Sequence, residues 1–248
     1  KSAELVGVSF AVNNKAAYVP LMHDYENAPQ QLDRDWVIAK LQPVLADASN
    51  TIIGHNLKYD IEVLANYNIA VNANLVDTLL ESYVINSVAS RHNMDSLALT
   101  YLNRETTHFS DIAGKGSKQK TFNHIDIATA SHYAAEDAAV TLALHRYFSP
   151  LLKQEPTLLT VFNELDMPLV PILARMESHG VLIDSDMLNQ QSKLLGEKID
   201  ALQAHAYQLA GSEFNLSSPK QLQEVLFNQL KLPVIKKTPG GQASTAEN

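Results

Sequence analysis

Cysteine is absent from the 248 residues. That excludes a disulfide framework and any thiolate metal site, and it accords with a reducing compartment. Long apolar runs are also missing: the unbroken stretches are a few residues, far short of the roughly 20 that a membrane helix needs. No charged-then-apolar leader is visible, so no secretory signal is read. The first residue is Lys1 and the last are Thr245-Ala246-Glu247-Asn248, so the chain reads as a piece cut at both ends. Positive charge is scarce, with 19 Lys and Arg against 27 Asp and Glu and a formal net charge of −8. This argues against coating duplex DNA by bulk electrostatics, but leaves room for a local grip on a few nucleotides. What is present, 46% hydrophobic and 19% charged residues, suffices for a core and lacks the signature of disorder. The length fits one and a half or two domains.

Residues 5–12 alternate, with Val6, Val8, Phe10 and Val12 on one face. Asn13-Asn14-Lys15 is a turn signal and residues 16–21 read as the return strand of a hairpin. A helix is expected from Asp33 to Ala46, with Trp36, Val37, Leu41, Val44 and Leu45 facing inward. Residues 51–55 read as a short buried strand, followed by a helix from Leu57 to about Tyr67 capped by Asn56. Asp77 and Asp95 are read as caps of the next two helices. Residues 103–122, with Gly114-Lys115-Gly116-Ser117, read as a mobile loop. The locally basic stretch from Arg91 to Lys120 is read as solvated, the alternative being a strand-guiding edge. Helices follow over 126–148, 162–178 and 186–210. Pro150 and Pro156 bracket a connector taken as the domain boundary. A hairpin, further strands and then helices make an α/β arrangement with a mixed sheet.

Two carboxylates carry chemistry. Tyr133, Asp137, Val140 and Leu144 share one face of the long helix. An aspartate on an apolar stripe is costly to bury unless it is paired or bound to metal. Taken alone, the pattern is more often a rim aspartate beside a half-buried tyrosine. In Asn56-Leu57-Lys58-Tyr59-Asp60, a buried strand gives way to a helix, at the strand end where α/β ligands gather. The bland alternative is a cap and a dipole-favoured acid. Together, two aspartates from two elements suit Mg²⁺ or Mn²⁺, two of which would hydrolyse a phosphodiester. Two ions need more carboxylate than this. Asp24, Glu62, Asp77, Glu81 and Glu136 are spare acids without a clear placement.

Asn56–Asp60 resembles the second motif of the DEDD proofreading exonucleases, and Tyr133-Ala134-Ala135-Glu136-Asp137 the third motif of their tyrosine subclass. His132, the residue type of the sister subclass, lies one position away on the wrong face. Ser90–Leu97 and Ile112–Gly116 resemble exonuclease segments of the bacterial family A DNA polymerases, the DNA polymerase I family. Glu164–Leu173 with Met176-Glu177 and Gly180-Val181 resembles the start of their polymerase domain. Phe214–Leu222 resembles the start of the thumb, and Lys236–Gly241 with Ser244-Thr245 its DNA-contacting tip. The resemblance spans the chain.

It implies a ribonuclease H-like α/β fold lacking its first strand, over 1–155, and a mainly helical start of a polymerase thumb over 156–248. It implies that Asp60, Tyr133 and Asp137 are catalytic, with Asp60 and Asp137 binding metal and Tyr133 orienting the attacking water. Asn56, Tyr59 and Phe122 would contact a single-stranded 3′ end. His55 would be structural. The cofactors would be two Mg²⁺ or Mn²⁺ ions, Zn²⁺ being an alternative at one site. The partner would be DNA, single-stranded at the exonuclease site and duplex at the thumb tip, with no membrane, in a monomer of the bacterial cytoplasm. The family's first Asp-Glu motif would lie upstream of Lys1, so the piece alone is expected to be nearly inactive. The rivals are a silent exonuclease-like scaffold in a family A polymerase and a stand-alone DEDD ribonuclease.

Overall fold

Alternation in the first strand and an Asn-Asn turn produce the expected hairpin in the computed structural model, which describes residues 3–88 and 91–246. Ser90, at the head of the Ser90–Leu97 segment, and the terminal Lys1, Glu247 and Asn248 lie outside the described residues. Strand β1 (Gly7–Val12) pairs antiparallel with β2 (Lys15–Pro20), Val8 opposite Val19 and Phe10 opposite Ala17. Helix α1 (Arg34–Ala46) starts where the Asp33 carboxylate accepts from the Trp36 N–H at 2.8 Å. Strand β3 (Thr51–Gly54) runs parallel to β4 (Asn74–Asp77), and α2 (Leu57–Ala65) supplies the crossover that parallel strands require. Next come α3 (Thr78–Ile85), α4 (Met94–Leu102), the short α5 (Phe109–Ala113) and the long α6 (Ile127–Gln154). Helices α7 (Pro156–Val161) and α8 (Met167–His179) are joined through a π-helical turn at Phe162–Asp166.

Helix α6 is the spine. It packs across β1, β2, β3, α3 and α4. Its Val140, Leu144 and Phe148 are fully buried with Leu97 and Ala98 of α4, each large apolar side chain contributing about 1.5–3 kcal/mol by leaving water. Arg146 ties it to the hairpin turn by donating to the Asn13 carbonyl at 2.6 Å and to the Asn14 side chain at 3.1 Å. A second cluster joins Leu57 of α2 to Leu152, Phe162, Met167 and Val170.

Residues Lys1–Gly180 form one compact unit and Val181–Asn248 another. In the second, α9 (Ser185–Ala210) ends at Gly211, whose φ of 72° suits glycine at a helix C-terminus. Helix α10 (Pro219–Gln223) follows, capped by Ser218. The Lys236–Gly241 stretch folds into a tight reversal in which Lys237 bridges Ala243 and Gly241 N–H donates to the Thr238 carbonyl at 2.8 Å.

Several expectations change. The strands form two separate two-stranded sheets rather than one mixed sheet; among the described residues no strand joins their edges. Trp36 is 55% exposed and Val44 is also exposed, so the inward face of α1 is narrower and rests on Val37. Trp36 instead lies under the Lys40 ammonium. Helix α2 ends at Ala65, with Asn66 as its cap. Helix α6 continues through Pro150 to Gln154, because Leu152 is pinned in the core. Residues 103–122 are not an unstructured loop: they hold α5 and a 3₁₀ turn at Gly116–Lys118, and a second such turn begins at Phe122. Residues Pro156–His179 form one helical stretch of 24 residues with mean hydropathy 1.3 over its most apolar window. By length and composition alone that would span a bilayer, unlike the short runs seen in the sequence. Here its Phe162, Met167, Val170 and Ala174 are buried in the first unit.

Candidate active site

The second-motif turn is built from the main chain. Asn56 holds the left-handed conformation (φ 63°, ψ 48°), which asparagine tolerates better than most residues. It occupies the cap position of α2, but its side chain does not cap. The cap is the Asp77 carboxylate, which accepts from Asn56 N–H at 2.9 Å and Leu57 N–H at 2.7 Å. The same carboxylate caps α3 by accepting from Leu79 N–H at 2.9 Å. Asp77 is 3% exposed and joins both strand ends. Gly54 permits this turn, because a Cβ there would lie 2.2 Å from the Leu57 side chain.

Asp60 follows in the first turn of α2. Asp60 is exposed at the surface of α2, yet nearby protein atoms still displace part of its hydration. Burial first, and the negative Asp77 second, raise it to about 6, against its own helix N–H. On α6, Tyr133 stands one turn before Asp137, near enough for phenol and carboxyl to shift each other's titration. Burial raises Asp137 to about 7. The neighbouring Tyr133 phenol opposes the shift, and the charges of Asp95 and Glu136 add to it. Burial, then the Asp137 charge, pushes the Tyr133 phenol above its ordinary range. Among the described residues no salt bridge reaches Asp60 or Asp137. Carboxylates without a cationic partner suit a hard cation, but Asp60 is exposed, and the charges that act on it and on Asp137 are those of Asp77, Asp95 and Glu136, not each other's. Among the described residues no group of three potential ligands clusters.

An aromatic wall adjoins this pair. The Phe122 ring centroid is 6.1 Å from that of Tyr133 and 6.3 Å from that of Phe109, which is itself 6.1 Å from Tyr133. Phe122 and Tyr59 both line a cavity of about 530 Å³, with Met22, His23, Asp24 and Asn123. His23 is structural. Its Nδ1 donates to the Ile125 carbonyl at 2.9 Å, which leaves Nε2 to accept from the Tyr18 hydroxyl at 2.8 Å. Burial holds its pKa down, against that carbonyl and the charges of Asp24 and Asp126. Gly7 makes room for Tyr18, since a Cβ would meet its hydroxyl at 2.1 Å. Asn56 lines a different, smaller cavity of about 270 Å³ with Lys58, Asp77 and Asp166. Of the six residues singled out in the sequence, Tyr133 with Asp137, and Tyr59 with Phe122, are thus brought together, while Asn56 opens elsewhere.

The spare acids now have places. Glu81, 2% exposed, pairs with His145 at 2.9 Å. Asp24 accepts from the Asn123 amide at 2.6 Å. Glu62 is buried on α2. Asp95 does not cap α4; Asn93 does, accepting from Ser96 N–H at 2.9 Å. His55 is held by Thr78 Oγ1 at 2.9 Å and by the His92 main chain, and burial keeps its pKa down. Arg104, in the basic stretch, is bound to Glu136 rather than freely solvated.

Comparison with known proteins places this geometry. The family described as 3′-5′ exonuclease matches residues 1–153. The chain belongs to the 3′–5′ exonuclease family. Residues 185–248 match the family described as DNA polymerase family A. The DNA polymerase I of Pseudomonas aeruginosa is 54% identical over 250 residues, covering 100% of this chain and 27% of the relative. That of Rhizobium leguminosarum is 37% identical, covering 98% of this chain and 26% of the relative. The chain therefore spans about a quarter of these relatives. The solved POL domain of Pol1 from M. smegmatis, in complex with DNA primer-template and dNTP, aligns over 94% of this chain and 37% of its own, with a TM-score of 0.68 and 27% identity. The α/β first unit fits the ribonuclease H-like fold of the exonuclease family.

The raised carboxyls of this exonuclease-family unit set a pH dependence. Unfolded aspartates titrate near about 3.9, so the metal-free folded state holds extra protons between there and about 7. Stability from these groups is fullest at low pH and falls as pH rises through that window. A bound divalent ion reverses the penalty. Mg²⁺ should therefore raise the melting midpoint of the full-length protein more at pH 8 than at pH 5.5, and Asp137→Asn should remove that difference. Equal increments at both pH values in the unmodified protein would overturn this.

Proposed function

We propose that the chain is part of a DNA polymerase with 3′–5′ proofreading, with residues 1–155 as the exonuclease domain that hydrolyses terminal nucleotides from DNA. The remainder, residues 156–248, begins the polymerase domain and carries the base and tip of its thumb. The observation that carries this reading is the placement of Tyr133 and Asp137 one turn apart on α6 beside an aromatic wall.

Asp60 and Asp137 would hold Mg²⁺ or Mn²⁺, Zn²⁺ being an alternative at one of two sites. Divalent ions supply Lewis acidity and a lowered pKa for bound water. Tyr133 orients the attacking water through its hydroxyl. Water adds to phosphorus, the bond to the penultimate 3′ oxygen breaks, and a nucleoside 5′-monophosphate departs. Tyr59 and Phe122 offer faces on which an unpaired base stacks, and Asn56 offers a polar contact. A mispaired end is favoured because unpairing it costs less. The protein would act as a monomer in the bacterial cytoplasm, without a membrane partner.

The test is release of nucleoside 5′-monophosphates from a mispaired 3′ DNA end by the full-length protein, dependent on Mg²⁺ and stopped by chelation. Tyr133→Phe should lower the rate by about 10–100-fold, as removal of an orienting group beside a metal ligand does. An unchanged rate would remove Tyr133 from the chemistry. No release with any divalent ion would favour the silent scaffold. Preference for single-stranded RNA would favour the ribonuclease.

A further inference from the structure

Two carboxylates beside the Tyr133–Asp137 pair bind neither that pair nor each other. Glu136 follows Ala135 on α6 and projects away from Asp137. Its Oε1 accepts from the Arg104 guanidinium at 2.8 Å and its Oε2 from Thr107 N–H at 3.0 Å. Asp95, in the first turn of α4, accepts from Thr106 Oγ1 at 2.7 Å through Oδ1 and from His108 Nδ1 at 2.8 Å through Oδ2. All four carboxylate oxygens are thus taken by one five-residue segment, 104–108. The segment is thus gripped from two sides, by Glu136 of α6 and by Asp95 of α4. The segment's next residue is Phe109, whose ring meets Phe122 and Tyr133.

The chemistry of the grip is consistent on both sides. Burial would raise Glu136, but bonds from Thr107 and Arg104 hold it below its ordinary range, so it stays ionised. Asp95 raises the exposed His108 by hydrogen bond and by charge. Neither acid has an oxygen left for a metal.

We infer that Glu136 and Asp95 are positioning residues. They clamp segment 104–108 so that Phe109 is held against Tyr133, which stands one turn from Asp137 on α6. The inference rests on the exonuclease reading of that pair and assigns its support.

The test is a double-mutant cycle in the full-length protein, with exonuclease kcat and KM measured on a single-stranded 3′ end. Glu136→Ala should lower kcat/KM by about tenfold, a coupling of ordinary size for contacting residues. In a Phe109→Ala background the same substitution should have almost no further effect, because its action passes through Phe109. Glu136→Gln, which keeps an acceptor for Thr107, should restore about half of the loss on a logarithmic scale. Asp95→Asn should behave like Glu136→Gln. Additive losses in the cycle, or wild-type kinetics for Glu136→Ala, would overturn the clamp. Asp137→Ala in the same assay separates the readings: if it retains activity, the exonuclease assignment fails whatever the cycle shows.

Discussion

Asp137→Ala in the full-length protein is expected to lower 3′-end hydrolysis by about a thousandfold, because a metal-held transition state is worth several kcal/mol and each factor of ten is about 1.4 kcal/mol. DNA synthesis should stay within about twofold, since well-separated sites act independently. The reason is local. Asp137 is half-buried on α6 one turn after Tyr133, and among the described residues no cation pairs with it. Removing it leaves Val140, Leu144 and Phe148 packed, so the fold survives the loss of the chemistry. Parallel measurement of nucleotide release and primer extension decides the matter, and equal loss of both would sink the assignment.

Asp77→Ala should act on stability instead. It removes the acceptor of Asn56, Leu57 and Leu79 N–H at once. Hydrogen bonds to a charged group are worth about 1.5–3 kcal/mol each, so a loss of about 3–5 kcal/mol is expected after partial rescue by water. For a unit of this size, that lowers the melting midpoint by roughly 10 °C. Asp77→Asn, which keeps one oxygen, should cost about half. It should also bring Asp60 closer to its ordinary pKa by removing the neighbouring charge. A melting curve unchanged in Asp77→Ala would show that water alone can hold the turn.

The local pieces of this protein were legible in its sequence because they obey local rules. Asp77 caps the helix its position suggested, and Asp33, read as the first helical residue, turns out to be a cap. The i, i+4 spacing of Tyr133 and Asp137 places them in hydrogen-bond reach. What escaped depends on partners distant in the chain. Glu136 meets a segment some 30 residues away, and Glu81 meets His145 across 64 residues. No spacing rule anticipates such pairs, so these acids looked spare. Asn93 and Asp95 compete for one cap, and the sequence offers no means to choose; the outcome frees Asp95 to grip Thr106 and His108. Phe109 went unremarked for the same reason. Its neighbours Phe122 and Tyr133 join it only when α5 folds over α6.

The length of α6 has a consequence for motion. Tyr133 and Asp137 lie well inside a helix of 28 residues, beyond the turns that fray, and they border its fully buried stretch. Their amides should exchange with solvent only when the whole unit opens. Phe109 starts a helix of five residues, too short to hold itself and fixed by side chains from elsewhere. Openings there should need only the 104–108 bonds to break, not the whole unit. The centre is therefore held at two levels: the acid and its tyrosine by the buried length of α6, and the facing ring by side-chain bonds that can let go before the whole unit does.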